Sequence, residues 1–242
     1  MSMAEIVGWG AKLTRTRVTN LPKGLRKNPE WVPHVGDVFP NFQAETTQGN
    51  IDFYNWADGK WTLLFNHIHV GGAVGTTEMA AFASAAQDFE QRNTQLLGLS
   101  NDSQFEQQKW ESGIQRRFGQ AVDFPTIIDE SGDLSTTFGM TRWKNSWDHA
   151  LRKTFLISPS LHVRCTLEFP MNLGRGVEEI LRIIDAQQLH ETRQLATGAD
   201  WQPGDAPIVP QYLDPSEIEL QAHETMIELF PGMRVVKPRG AR

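Results

Sequence analysis

The chain has 242 residues, 39% of them hydrophobic, and a formal net charge of -6, which suits one sizeable domain with an appendage or two small domains. The acidic balance argues against nucleic-acid binding. No stretch reaches the roughly 18 apolar residues of a membrane span, and a single cysteine, Cys165, permits neither an internal disulfide nor a dithiol motif. Lys12, Arg15, Arg17 and Lys23 accompany no apolar run, so no signal peptide is read and a cytoplasmic setting is the expectation.

Residues 1–36 show little periodicity and are punctuated by Pro22, Pro29 and Pro33; they read as an arm anchored by Trp9, Leu21 and Trp31. Ile51 to Trp56 alternates as a short strand or strand plus turn, and Asp58-Gly59 is a turn signal. Trp61 to Asn66 is a buried strand. Thr77 to Arg92 carries Met79, Phe82, Ala83, Ala86 and Phe89 at helical spacing, with Thr76 as the expected N-cap. Gln95 to Ser100 is the next strand. Asn101-Asp102-Ser103 caps a helix running through Phe105 and Trp110. A strand at Phe124 to Ile128, a short helix at Leu134 to Phe138, a hairpin of Lys153 to Ile157 with His162 to Glu168, and an amphipathic helix at Val177 to Gln188 follow. After Thr197 the chain turns irregular, with a short helix expected from about Pro215 to Phe230. The alternation is that of an α/β domain with a mixed sheet.

The junction 67-HIHVGGAVGTTEM-79 carries the chemical interest. A helix N-terminus after a strand favours negative charge, and Gly71, Gly72 and Gly75 leave its amides uncovered. The phosphate-loop pattern GxxxxGK[ST] is absent. His67 and His69 would share a face in a strand, with Glu78 in the first helical turn. Three readings stay open on these residues. One is a flexible loop with satisfied histidines. Another is a metal site, with His149 as a further ligand. The last is metal-free acid–base chemistry, with Arg152 holding an anion.

The order of segments resembles the AhpC/TSA peroxiredoxins, closest to the one-cysteine type. The resemblance is carried by Phe39-Pro40-Asn41-Phe42, Leu64-Phe65-Asn66-His67, Thr76-Thr77-Glu78-Met79 and Leu99 to Ser103. Trp110, Asp123-Phe124-Pro125, Phe138-Gly139-Met140, Leu151 to Ile157, Phe169-Pro170, Gly174-Arg175-Gly176, Glu179 to Arg182 and Ala196 to Asp205 continue it. It implies a thioredoxin-like fold with a central mixed sheet flanked by helices over 37–192. It also implies a C-terminal extension, 193–242, that packs across a homodimer or larger assembly.

The family's Pro-x-x-x-Thr-x-x-Cys motif falls on this junction. The resemblance sets Gly75 at the reactive cysteine, Gly72 at the threonine, Ile68 at the leading proline and Ala73 at the proline beside the cysteine. Arg152 matches the peroxide-binding arginine, Arg175 a second structural arginine, and His67 the histidine common in the one-cysteine class; His69 and His149 are departures. Cys165 reads as a buried, inert residue of the hairpin. Glycine cannot accept oxygen from a peroxide, so the thiol mechanism is not expected.

The expectation is a non-peroxidase enzyme on this scaffold, performing isomerisation, cyclisation or elimination on a small organic molecule. His67 or His69 would be the acid or base and Arg152 the oxyanion partner, with Glu78 orienting or capping. Gly71, Gly72, Gly75, Thr76, Trp147 and His149 would line the substrate, with no cofactor and no metal. The rivals are an inactive binding or structural paralogue and a metal enzyme using His67 and His69.

Overall fold

The computed structural model describes residues 32–67, 69–141 and 151–238. Residues 1–31 of the expected arm, Trp147 and His149 lie outside them. The chain divides into two compact units, Met1–Arg175 and Gly176–Arg242.

In the first unit, β1 (Gln43–Thr46), β2 (Gly49–Asp52), β3 (Trp61–Asn66), β4 (Thr94–Ser100), β5 (Thr126–Ile128), β6 (Arg152–Ile157) and β7 (Val163–Phe169) form one mixed sheet ordered β2-β1-β5-β4-β3-β6-β7. The central β3, β4 and β5 run parallel, while β6 lies antiparallel to β3 and β7 antiparallel to β6. The near-continuous apolar run of β3 is buried at all six positions, as a central strand covered on both faces requires. Gly98 in β4 is a packing glycine, since a Cβ there would lie 2.8 Å from Thr126 Oγ1 on the neighbouring strand.

One face of the sheet carries a cluster that includes Phe39, Phe42, Phe53, Leu64, Phe138 and Phe155. Phe42 and Phe53 stack at 4.9 Å, and Phe39 meets Phe155 edge-on at 5.4 Å. On the opposite face Phe65 stacks at 4.4 Å on Phe82. Phe82 belongs to α2 (Ala73–Ser84), which follows α1 (Phe53–Ala57) and precedes α3 (Ala86–Gln91). The expected single helix from Thr77 to Arg92 is thus two helices, and the first starts at Ala73 with Gly72, not Thr76, as N-cap. Residues 53–57, read as strand or turn, form α1, capped by the Asp52 side chain.

The helix predicted after Ser103 is α4 (Gln104–Phe118). Ser103 and Glu106 close a capping box, and Gly119 ends the helix at φ 71°. A short α5 (Asp133–Thr137) follows β5. Cys165, expected buried, is half-buried opposite Leu156.

The second unit holds α6 (Val177–Arg193) and a sheet of β8 (Ile208–Val209), β9 (Glu224–Phe230) and β10 (Met233–Pro238), ordered β8-β10-β9. The helix expected from Pro215 to Phe230 is only a 3-10 turn at Pro215–Glu217 followed by a strand. Pro231-Gly232, with Gly232 at φ 78°, turns that strand back onto β10. Leu195, Val209, Ile218 and Val236 form the core of this unit.

Among the described residues, no helix is long and apolar enough to cross a membrane.

Candidate functional site at the carboxyl end of strand β3

Strand β3 stops at Asn66, whose side chain closes the ladder to β6: Nδ2 donates to the Leu151 carbonyl at 2.8 Å and Oδ1 accepts from Lys153 N at 2.8 Å. The chain then turns and enters α2. Because the strand ends there, His67 and His69 do not share a face as expected; one is buried and the other is exposed.

His67 is 1% exposed. Its Nε2 lies 2.8 Å from Gln107 Oε1, and its ring sits 5.1 Å from the Trp110 ring. Burial, the largest influence, pulls its pKa down to about 4. It is therefore a neutral imidazole near pH 7, not a base poised at neutrality.

His69 instead pairs through Nδ1 with Asp102 Oδ1 at 2.8 Å, with half its side chain exposed. The other carboxylate oxygen of Asp102 accepts from Val70 N at 2.8 Å, so the connection that follows β4 holds the turn. Gly71 takes φ 77°, where a side chain would be strained.

Four donors converge on Glu78. Arg152 Nη1 reaches Oε2 at 2.5 Å, and Arg175 supplies its backbone N and Nε to Oε1 at 2.8 Å each and Nη2 to Oε2 at 3.0 Å. Arg175 also donates to the Asn66 carbonyl and Thr154 Oγ1, and its guanidinium lies over Phe65 at 5.2 Å. Arg152 adds a bond from Nε to the Met171 carbonyl at 2.9 Å. Burial lowers the Arg152 pKa and the Glu78 charge opposes that. Glu78 thus holds two arginines and orients no histidine. A buried carboxylate between two guanidiniums is stable only when its lone pairs are filled this way.

Gly75 lies inside the first turn of α2, without a positive φ. A Cβ there would meet Trp110 Cη2 at 3.8 Å and Arg152 Nη1 and the His69 carbonyl at 3.9 Å, all ordinary contacts. The space at position 75 therefore accepts a side chain, and that side chain would face a guanidinium. No side chain caps α2. Thr76 is engaged: its Oγ1 donates to the Gly72 carbonyl at 2.9 Å and accepts from Trp110 Nε1 at 3.1 Å. Gln107, Asp102 and the indole of Trp110 were not picked out as site residues from sequence, although Gln107, Trp110 and Glu111 share one helical face by spacing. Among the described residues no group of three or more His, Cys, Asp or Glu is placed to hold a metal. His67 and His69, one buried on Gln107 and the other bound to Asp102, do not form the metal pair considered from sequence.

This arrangement, an arginine held beside the first turn of the helix after β3, can be set against known proteins. The AhpC/TSA family matches residues 35–166. The chain belongs to the AhpC/TSA family. A peroxiredoxin of Methanosarcina mazei is 38% identical over 194 residues, covering 78% of this chain and 87% of its own. A 1-Cys peroxiredoxin of Dirofilaria immitis is 35% identical over 201 residues, 76% of this chain and 86% of its own. Among solved structures, the yeast mitochondrial 1-Cys peroxiredoxin superposes with a TM-score of 0.76 at 32% identity, covering 84% of this chain and 98% of its own. A cysteine-to-serine mutant of peroxiredoxin 6 from Arenicola marina also gives 0.76, at 29% identity over 86% and 99%. The thioredoxin-like peroxiredoxin fold, with its central mixed sheet flanked by helices, is thereby shown.

The same relatives overturn the expected isomerisation, cyclisation or elimination. They are named peroxiredoxins, and none is named for such chemistry. The geometry agrees, since the proposed base His67 is buried with its pKa near 4.

Proposed function

We propose that this chain handles peroxides, as the names of its relatives suggest, at the first turn of α2. In this reading Gly75 stands where the family's reactive cysteine would be, and the thiol that reduces the peroxide comes from a second molecule. The observation that carries it is the room for a side chain at buried Gly75, whose added Cβ would lie 3.9 Å from Arg152 Nη1. Cys165 gives no alternative: it faces Leu156, four residues along β6 from Arg152, or about 13 Å at strand rise.

The chemistry follows from the charges. A thiolate entering beside Gly75 attacks one peroxide oxygen. The O–O bond breaks as the S–O bond forms, giving a sulfenic acid, and the leaving alkoxide takes a proton to become an alcohol. The Arg152 guanidinium and the uncapped amides of α2 stabilise the negative charge that develops on the leaving oxygen. Glu78 and Arg175 hold Arg152 in place.

Hydroperoxide consumption measured with dithiothreitol as the thiol tests this. Wild type is expected to exceed thiol alone, and Arg152→Ala to lose about 10²-fold, the usual cost of an oxyanion donor. Equal rates in wild type, Arg152→Ala and thiol alone overturn the reading. Gly75→Cys is expected to form a sulfenic acid with hydrogen peroxide; an inert thiol there shows that position 75 is not the reacting position. A homodimer with 193–242 at its contact belongs to the same proposal and is checked by sedimentation of the chain truncated at 192.

A further inference from the structure

Beside the Trp110 ring, which lies 5.1 Å from that of His67, runs a polar chain that the peroxide reading does not use. Thr126 Oγ1 is 3.4 Å from Glu111 Oε1, Gln107 Nε2 donates to the same oxygen at 2.8 Å, and Gln107 Oε1 lies 2.8 Å from His67 Nε2. The order of donors is forced from one end. Burial raises the Glu111 pKa, and the hydrogen bonds from Gln107 and Thr126 oppose that by favouring the carboxylate; as a carboxylate its oxygen only accepts, so Gln107 turns its NH2 to Glu111 and its carbonyl oxygen to His67. A carbonyl oxygen accepts too, so His67 must donate from Nε2. A neutral imidazole has one N–H, so Nδ1 is a lone pair. That Nδ1 is buried and has no hydrogen-bond partner among the described residues. Gln107 is itself fully buried.

We propose that Gln107, held by Glu111, is a positioning residue: it fixes His67 as the Nε2–H tautomer and so keeps Nδ1 as an uncharged acceptor that takes one O–H donor, either an ordered water or the hydroxyl of a hydroperoxide. A buried acceptor left empty is costly, so an occupant is required. A water or a hydroperoxide offers the same O–H. A charged imidazolium would offer no lone pair, and burial keeps that form away by holding the pKa near 4. The tautomer does not depend on the peroxide reading; only the hydroperoxide branch rests on it.

The experiment is nitrogen-15 NMR of histidine-labelled protein at pH 7, first without ligand. The expected His67 spectrum has a protonated Nε2 and an unprotonated Nδ1 shifted by an accepted hydrogen bond. Gln107→Met, which keeps the volume and removes the acceptor, is expected to let both tautomers populate while the other histidines stay unchanged. A protonated Nδ1 in wild type, or an unchanged tautomer in folded Gln107→Met, overturns the positioning role. Should Gln107→Met fail to fold, the wild-type tautomer and Glu111→Gln, expected to broaden it, decide. An Nδ1 resonance of a bare lone pair overturns the occupant. Adding tert-butyl hydroperoxide separates the two sources: a moved Nδ1 signal assigns the hydroperoxide, and an unmoved signal with a water cross-peak assigns the water. Activity lost in Arg152→Ala with the tautomer intact would leave this inference standing whatever happens to the peroxide reading.

Discussion

Two buried regions of the first unit solve the loss of water in opposite ways. The cluster around Phe39 and Phe155 needs only shape, because dispersion and the hydrophobic effect are non-directional. The cluster of Glu78, Arg152 and Arg175 needs named partners at set distances, because a buried charge without them is strongly destabilising. A change of outline is expected to cost the first region less than a change of charge costs the second. That difference explains why Arg152 is fixed so tightly: the Glu78 carboxylate it meets is anchored by a second arginine, Arg175.

Conservative replacements separate the two. Glu78→Gln keeps the outline and removes the charge, leaving two buried guanidiniums, and is expected to cost about 3–5 kcal/mol in urea unfolding. Phe39→Leu keeps the apolar character and changes the outline, at about 1–1.5 kcal/mol. Equal losses would break the contrast.

Lowering the pH probes the polar side next. The native His67 pKa of about 4 lies below the roughly 6.5 of an unfolded histidine, so between these values the unfolded chain binds a proton that the folded chain refuses. This residue's contribution is complete above about pH 6.5 and is lost as pH falls through about 4, on the order of 3 kcal/mol in all. Urea midpoints of wild type and His67→Gln, taken from pH 7 to pH 4, should converge toward the acid end; parallel curves would refute the buried neutral state. The smallest effect belongs to a region neither apolar nor charged inside. Ser103→Ala opens the capping box of α4 and is expected to cost about 1 kcal/mol, seen as a lower melting temperature.

Much of the sheet was legible because its signals are local. The apolar run of β3, the Asn101-Asp102-Ser103 cap and the β6–β7 hairpin each carry their evidence within a few residues. The site was legible in its members and not in its connections. Glu78 and Arg152 stand out in the sequence, but the bonds from Glu78 to Arg175 span 97 positions, beyond any local pattern. The histidine pair failed for a different reason: the two-residue alternation holds only while the strand continues, and β3 ends one residue before His67. In the second unit the segment after Pro215, expected as a helix, carries a local signal for strands. Met226 and Ile227 before Pro231-Gly232, with Val235 and Val236 after, read as two strands about a tight turn once the Pro-Gly pair is given weight.

The close approach of Gly98 to Thr126 carries a consequence for how this sequence can change. A methyl group at 98 collides with Thr126, so that glycine can be replaced only after 126 has shrunk. Serine at 126 keeps the Oγ1 that a Cβ at 98 would meet at 2.8 Å, and alanine, which clears it, removes the hydroxyl that reaches Glu111. Substitutions at the two positions must therefore arrive in a fixed order, alanine at 126 before alanine at 98, so one β-strand contact ties any side chain at 98 to the loss of a hydroxyl from the polar chain of Glu111, Gln107 and His67.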